Sequence, residues 1–194
     1  MAVHPFSLDR LPAMPWKNGG GTTREVACQP PGAGMDAFDW RVSIATIGQA
    51  GPFSAFAGID RVILLLAGDG VHLRGDGVDH RLDTPLAPFA FAGDAALDCT
   101  LPGGASTDFN VMTRRGKLDA EVRVWRQAAD IAPSVAGVLL AIGGHWQCTG
   151  ADGAAVRCPA GHGLWWHDGA APIGWRATPL DDAAALIAVR FQPA

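Results

Sequence analysis

The chain has 194 residues, 48% of them hydrophobic, and a formal net charge of −4. That hydrophobic fraction fits a filled core and argues against disorder, and the length allows one large domain or two small ones. The acidic balance leaves no basic footprint for nucleic acid, and no apolar run approaches the roughly 20 residues that span a bilayer, so neither nucleic acid nor membrane is an expected partner.

In chain order, the opening "MAVHPFSLDRLPAMPWKN" lacks the charged start and apolar run of a signal peptide. It leads into "PWKNGGGTTRE", Pro15 to Glu25, where Trp16, Lys17 and Asn18 precede three consecutive glycines. Glycines permit positive φ and close approach of another group. A phosphate loop needs its lysine after the glycines and a helix beyond, and neither is present. The stretch reads as a tight turn into a strand, with Thr23 and Glu25 on one face and Thr22 and Arg24 on the other. Beyond it, Gly and Pro interrupt every run that suits a long helix. Between them lie "DWRVSIATI", "RVILLLAG", "GVHLR", "FAFAG", "TDFNVMT", "EVRVWRQ", "GVLLAIGG" and "ALIAVRF", rich in β-formers and in several cases alternating with period two. Many short strands separated by turn signals predict an antiparallel sandwich or barrel.

The halves echo each other. "RVILLLAGDGVHLRGDG" from Arg61 matches "GVLLAIGGHWQCTGADG" from Gly137 in pattern, "PFAFAGD" matches "GLWWHDG", and "DFNVMT" matches "LIAVRF". A separation of about 75 residues suits one small barrel per copy. The expected domains are therefore 1–116 and 117–194, packed as a single compact unit. The first copy carries the polar residues: alternation puts Asp108, Asn110 and Met112 on one face of their strand, whereas "LIAVRF" offers nothing polar before Arg190. If one copy holds a working cavity it is the first, with the second largely structural.

Arg41 and Ser43 alternate with Trp40, Val42 and Ile44, which places them either in solvent or in a barrel lumen. In a lumen the planar fork of Arg41 would suit a carboxylate. The six histidines form no HxH or HExxH, and only His72 lies on a strand of the polar half, so no metal and no cofactor are expected. The cysteines Cys28, Cys99, Cys148 and Cys158 lack CxxC or zinc-like spacing and read as reduced, buried side chains of a cytoplasmic protein. Neither they nor any GxSxG elbow supplies a nucleophile.

Three segments in order, "MPWKNGGGTTRE", "WRVSIATIGQAGPFSAFAGIDRVILLLAGDGVHL" and "TDFNVMTRRG", resemble the HutD/Ves family of bacterial proteins. The resemblance implies an all-β bicupin, two double-stranded β-helix (jelly-roll-like) barrels in one chain, and a link to histidine utilisation as a modulator rather than an enzyme. The chain keeps the block from Trp16 to Gly21, Thr23 and Glu25, and Asp108-Phe109-Asn110, and lacks the two-His, one-Glu pattern of metal-dependent cupins.

The expected function is binding of a small acidic ligand, for example urocanate or formylglutamate, in the first barrel. The candidate lining is Trp16, Lys17, Asn18, Thr23, Glu25, Arg41, Ser43, His72, Asp108 and Asn110. Asp108 and Glu25 oppose an anion unless they pair with Arg or Lys. The alternative is a metal-independent cupin enzyme with Asp108 or Glu25 as acid/base. A third reading has Trp16, Asn18 and Asp108 bracing the glycine turn. The tryptophans of the second half, Trp146, Trp165, Trp166 and Trp175, fit a homodimer interface or the second barrel's core, and core is the reading adopted.

Overall fold

The structure, a computed structural model, describes residues 2–167 and 171–194. Its strands are β1 (Val3–Ser7), β2 (Ala13–Pro15), β3 (Gly21–Gln29), β4 (Trp40–Ile47), β5 (Gly51–Phe53), β6 (Ile59–Ala67), β7 (Val71–Gly75), β8 (Val78–Leu82), β9 (Phe89–Ala92) and β10 (Leu97–Thr100). They continue as β11 (Ser106–Arg114), β12 (Leu118–Trp125), β13 (Ala129–Ser134), β14 (Ala136–Gly143), β15 (His145–Gly150), β16 (Ala155–Pro159), β17 (His162–Trp166), β18 (Ile173–Pro179) and β19 (Ala185–Pro193). One 3-10 turn, Leu8–Arg10, is the sole helical element among the described residues. The protein is all-β, as the short β-branched runs between Gly and Pro breaks require.

The chain forms two compact units. The first in sequence spans Pro12–Asp119 with Ala194; the other joins the residues up to Leu11 to Ala120–Pro193. The boundary drawn from the sequence, 116/117 with the N-terminus in the first unit, therefore moves. β1 pairs antiparallel with β17, His4 opposite Trp165, and their rings stack at 4.0 Å.

In the Pro12–Asp119 unit one sheet has the order β2-β3-β4-β11-β6-β9 and the other β5-β10-β7-β8. In the second unit the orders are β1-β17-β14-β19-β12 and β13-β18-β15-β16. Adding eight to each strand number converts β4-β11-β6-β9 into β12-β19-β14-β17, and β5-β10-β7-β8 into β13-β18-β15-β16. The repeat seen in sequence is thus matched strand for strand in hydrogen bonding. The expectation of closed barrels is corrected. Each sheet ends in edge strands, so each unit is an open sandwich of two sheets rather than a continuous ladder.

Apolar side chains fill each sandwich. In the first unit Ile47, Ile63 and Leu65 of the larger sheet meet Val71, Leu73, Leu82, Leu97 and Cys99 of the smaller. In the second, Leu139, Leu164, Trp166 and Leu186 meet Trp146, Cys148, Cys158 and Trp175. Trp146 and Trp166 are fully buried and Trp175 nearly so, which places these three tryptophans in the core. The central strands β4, β11, β14 and β19 are buried on both faces, and in β14 and β19 the sequence accordingly reads as a long apolar run with weak alternation.

Candidate functional site

Strand register organises a polar patch on the inward face of the six-stranded sheet, the face that carries Ile47, Ile63 and Leu65 into the core. Across β4, β11, β6 and β9 one row reads Arg41, Met112, Arg61, Phe91. The next reads Glu25, Ser43, Asn110, Ile63, Phe89, beginning on β3. A third reads Thr23, Ala45, Asp108, Leu65. Side chains of one row share a face, so alternation within each strand collects these residues between the two sheets. A bulge in β3 between Glu25 and Ala27 returns Cys28 to this face opposite Arg41.

The charges are arranged as a short network. Arg41 Nε donates to Glu25 Oε2 at 2.7 Å, and its Nη1 reaches Ser43 Oγ at 3.5 Å. Arg61 Nη1 donates to the Ser54 carbonyl at 3.1 Å and its Nε to Asn110 Oδ1 at 3.4 Å. The Arg61 guanidinium lies over three rings, Phe53 at 4.6 Å, Phe91 at 5.1 Å and Phe56 at 5.3 Å. Burial pushes Arg61 down to about 10, against the charge of Asp108, which favours the cation. Asp108 is 3% exposed, and its Oδ1 has no hydrogen-bond partner. Burial pushes it up to about 7, with Arg61 acting in the opposite direction. Burial, and secondarily the Asp108 charge, push Cys99 of the facing sheet up to about 11.

The remaining predicted residues divide. Trp16 is half-buried against the same core, and its Nε1 donates to Thr23 Oγ1 at 2.7 Å. Asn18 is exposed, and its Oδ1 accepts from the Gly20 N–H at 3.0 Å, so it braces the turn. Lys17 is exposed on that turn. Gly21 is the glycine the path requires. A Cβ there would fall onto the Thr46 carbonyl oxygen and within 2.9 Å of the Trp16 ring. His72 does not join the patch. Its neighbours Val71 and Leu73 face the core, and its own ring is held by Asp79 at 2.5 Å with Arg74 Nε at 3.2 Å. Among the described residues no group of three or more His, Cys, Asp or Glu is placed to hold a metal ion.

Arg61 and its three phenylalanines were not anticipated from sequence. "RVILLLAG" is apolar on both faces, so it gives no phase by itself. The phase comes from β11, where polar Asp108 and Asn110 mark the inward face and register then assigns Arg61 to it.

The HutD family model matches residues 9–186. The chain belongs to the HutD family. Protein Ves of Citrobacter koseri is 42% identical over 166 residues, covering 84% of this chain and 83% of that protein. A 21.2 kDa protein from the region 3′ of hutC in Pseudomonas putida is 43% identical over 129 residues, covering 66% and 67%. The structure of HutD from Pseudomonas fluorescens SBW25 superimposes with a TM-score of 0.81 at 30% identity, covering 98% of this chain and all of that one. At the level of fold alone, this HutD-family chain also matches the oxalate decarboxylase of Lactobacillus farciminis, with a TM-score of 0.69 at 8% identity over 100% and 89% of the two chains.

Proposed function

We propose that the Pro12–Asp119 unit binds a small acidic molecule between its two sheets, and that through this binding the protein modulates histidine utilisation without catalysing a step. The observation that supports this reading is the state of the two inward arginines. Arg41 and Arg61 flank Met112 in one row, and each commits Nε and Nη1 to the protein. Neither Nη2 makes a hydrogen bond among the described residues. A carboxylate bridging these two ends would receive charge-assisted bonds in a poorly solvated interior, where they are strong. The acidic neighbours do not oppose it. Glu25 is neutralised by Arg41, and Asp108 takes up a proton near neutral pH.

Family membership and the hutC-region relative point the ligand class toward acids of histidine breakdown. We read the two sandwiches as the halves of a bicupin, in keeping with their matching strand orders and the oxalate decarboxylase fold. Thermal-shift measurements with urocanate and formylglutamate test the proposal: a ligand of the native state raises Tm. The rise with formylglutamate should disappear in Arg41→Gln. Absence of a shift with both acids, or consumption of either acid abolished by Asp108→Asn, overturns the reading.

A further inference from the structure

The other unit carries a cavity of its own, of about 210 Å³, between β12, β13 and β19. Glu121, Arg123 and Trp125 of β12, Asp130 and Ile131 of β13, and Arg190 of β19 line it. The duplicated register explains why charge reaches this place. In the first unit the inward row pairs Arg61 of β6 with Met112 of β11. In the second, Gly137 of β14 pairs with Arg190 of β19. The arginine has moved across one strand, and the Trp166 ring occupies the space over Gly137, where a Cβ would collide with it. Arg190 is thereby directed to the β12 side.

There it donates from Nη1 to Glu121 Oε2 and from Nη2 to the Pro133 carbonyl at 3.3 Å. Glu121 Oε1 is shared with Arg123 Nη2 at 2.6 Å. Asp130 is engaged by Arg176 Nη1 at 2.7 Å. The cluster thus holds three arginines against two carboxylates, and both carboxylates are already bonded. One positive charge is left uncompensated. Arg123, whose side chain is 62% exposed, commits only Nη2 among the described residues, so its Nε and Nη1 are open to a ligand. Trp125 gives a half-buried flat wall, and Ile131 belongs to the core beneath it.

The geometry points to a second binding site, for a small planar monocarboxylate, with the carboxylate on Arg123 in the field of Arg190 and the flat body against Trp125 and Ile131. A single excess positive charge suits a monoanion, and an indole wall suits a flat ring. The site lies in a different unit from the Arg41 and Arg61 row and stands independently of the function proposed for that row.

The test is ¹⁹F NMR of the full chain labelled with 5-fluorotryptophan, titrated with benzoate and, separately, with benzamide. The sequence has seven tryptophans, and Trp125→Phe identifies the Trp125 signal. Benzoate should move that signal saturably and benzamide should not. Arg123→Gln, a change at an exposed side chain that leaves the fold intact, should weaken benzoate roughly tenfold through loss of a charge-assisted contact. A Trp125 signal that does not respond, an equal response to benzamide, or undiminished affinity in Arg123→Gln overturns the assignment. The readout is local to Trp125, whereas the function proposed for the other unit is read by Arg41→Gln, so failure of one is distinguishable from failure of the other.

Discussion

Asp108→Asn isolates the electrostatics of the polar patch. In the folded chain this carboxyl titrates at about 7, whereas a solvated aspartate titrates near 3.8. Between those values the folded state retains a proton that the unfolded chain has released, so unfolding free energy falls as pH rises through the window. The stability associated with the raised value is complete below 3.8 and lost as pH passes 7. Across the whole window the shift corresponds to about 4 kcal/mol at 1.36 kcal/mol per unit. From about pH 5 to about pH 8 the wild type should lose roughly 2–3 kcal/mol on this account. An amide has nearly the same shape and does not titrate. Arg61 stays charged throughout, because it titrates at about 10. Every other titration is common to both proteins and cancels in their difference. Urea unfolding of wild type and Asp108→Asn at several pH values in that range should therefore show the variant gaining on the wild type by roughly 2–3 kcal/mol as pH rises. A difference that stays flat with pH would mean that Asp108 is ionised throughout, locked by Arg61, and would refute the argument.

The same titration predicts ligand behaviour: protonating Asp108 makes the patch more positive, so a monoanion bound between Arg41 and Arg61 should bind more weakly as pH rises through 7, read by calorimetry on either side of that value. Gly21→Ala should lower stability by roughly 1–3 kcal/mol, measured as a urea midpoint, because the added methyl meets the Thr46 carbonyl and the Trp16 ring. Ser106 is buried, accepts from the Gly70 N–H at 2.8 Å and donates to the Gly70 carbonyl at 3.0 Å. Ser106→Ala leaves both backbone groups unsatisfied and should destabilise by roughly 2–3 kcal/mol in the same assay. Arg115, bonded to Asp60 and Asp94 but half exposed, is a contrast: Arg115→Ala should change stability by no more than about 1 kcal/mol.

How far the sequence discloses this molecule depends on which faces of a strand are buried. "TDFNVMT" alternates polar with apolar residues, and the inward set it predicts, Asp108, Asn110 and Met112, is the set that register places in the interior. "DWRVSIATI" left Arg41 and Ser43 open between solvent and lumen, because a buried arginine is unusual. What sends it inside is Glu25, a partner on another strand that the sequence does not reveal as a neighbour. His72 is the only histidine on a strand of the polar half, and period two turns it away from the side of Val71 and Leu73, to where Asp79 and Arg74 hold its ring. Closure into barrels was also beyond local pattern, since strand periodicity is the same in a sandwich and in a barrel. Likewise β1 was assigned to the wrong unit because pairing with β17 leaves no trace in its own residues.

The duplication explains why two such similar sandwiches carry charge so differently. In the first, Arg61 sits on β6, a strand flanked by β11 and β9, so its guanidinium is enclosed by Phe53, Phe56 and Phe91 and loses solvation. A cation held there needs an acid nearby, and Asp108, two rows further along the sheet, supplies it. In the second, the corresponding positions on β19 are Leu186 and Ala188, so no acid awaits a deeply placed cation. Gly137 stands where β6 has arginine, and the charge appears instead on Arg190, one strand nearer the β12 edge, where Glu121 can neutralise it and solvent can reach it. One cross-strand exchange therefore converts an interior cation with a titrating partner into a cation at the wall of an open cavity. The first arrangement favours a ligand that replaces solvation inside the sandwich, and the second favours one that docks from its edge.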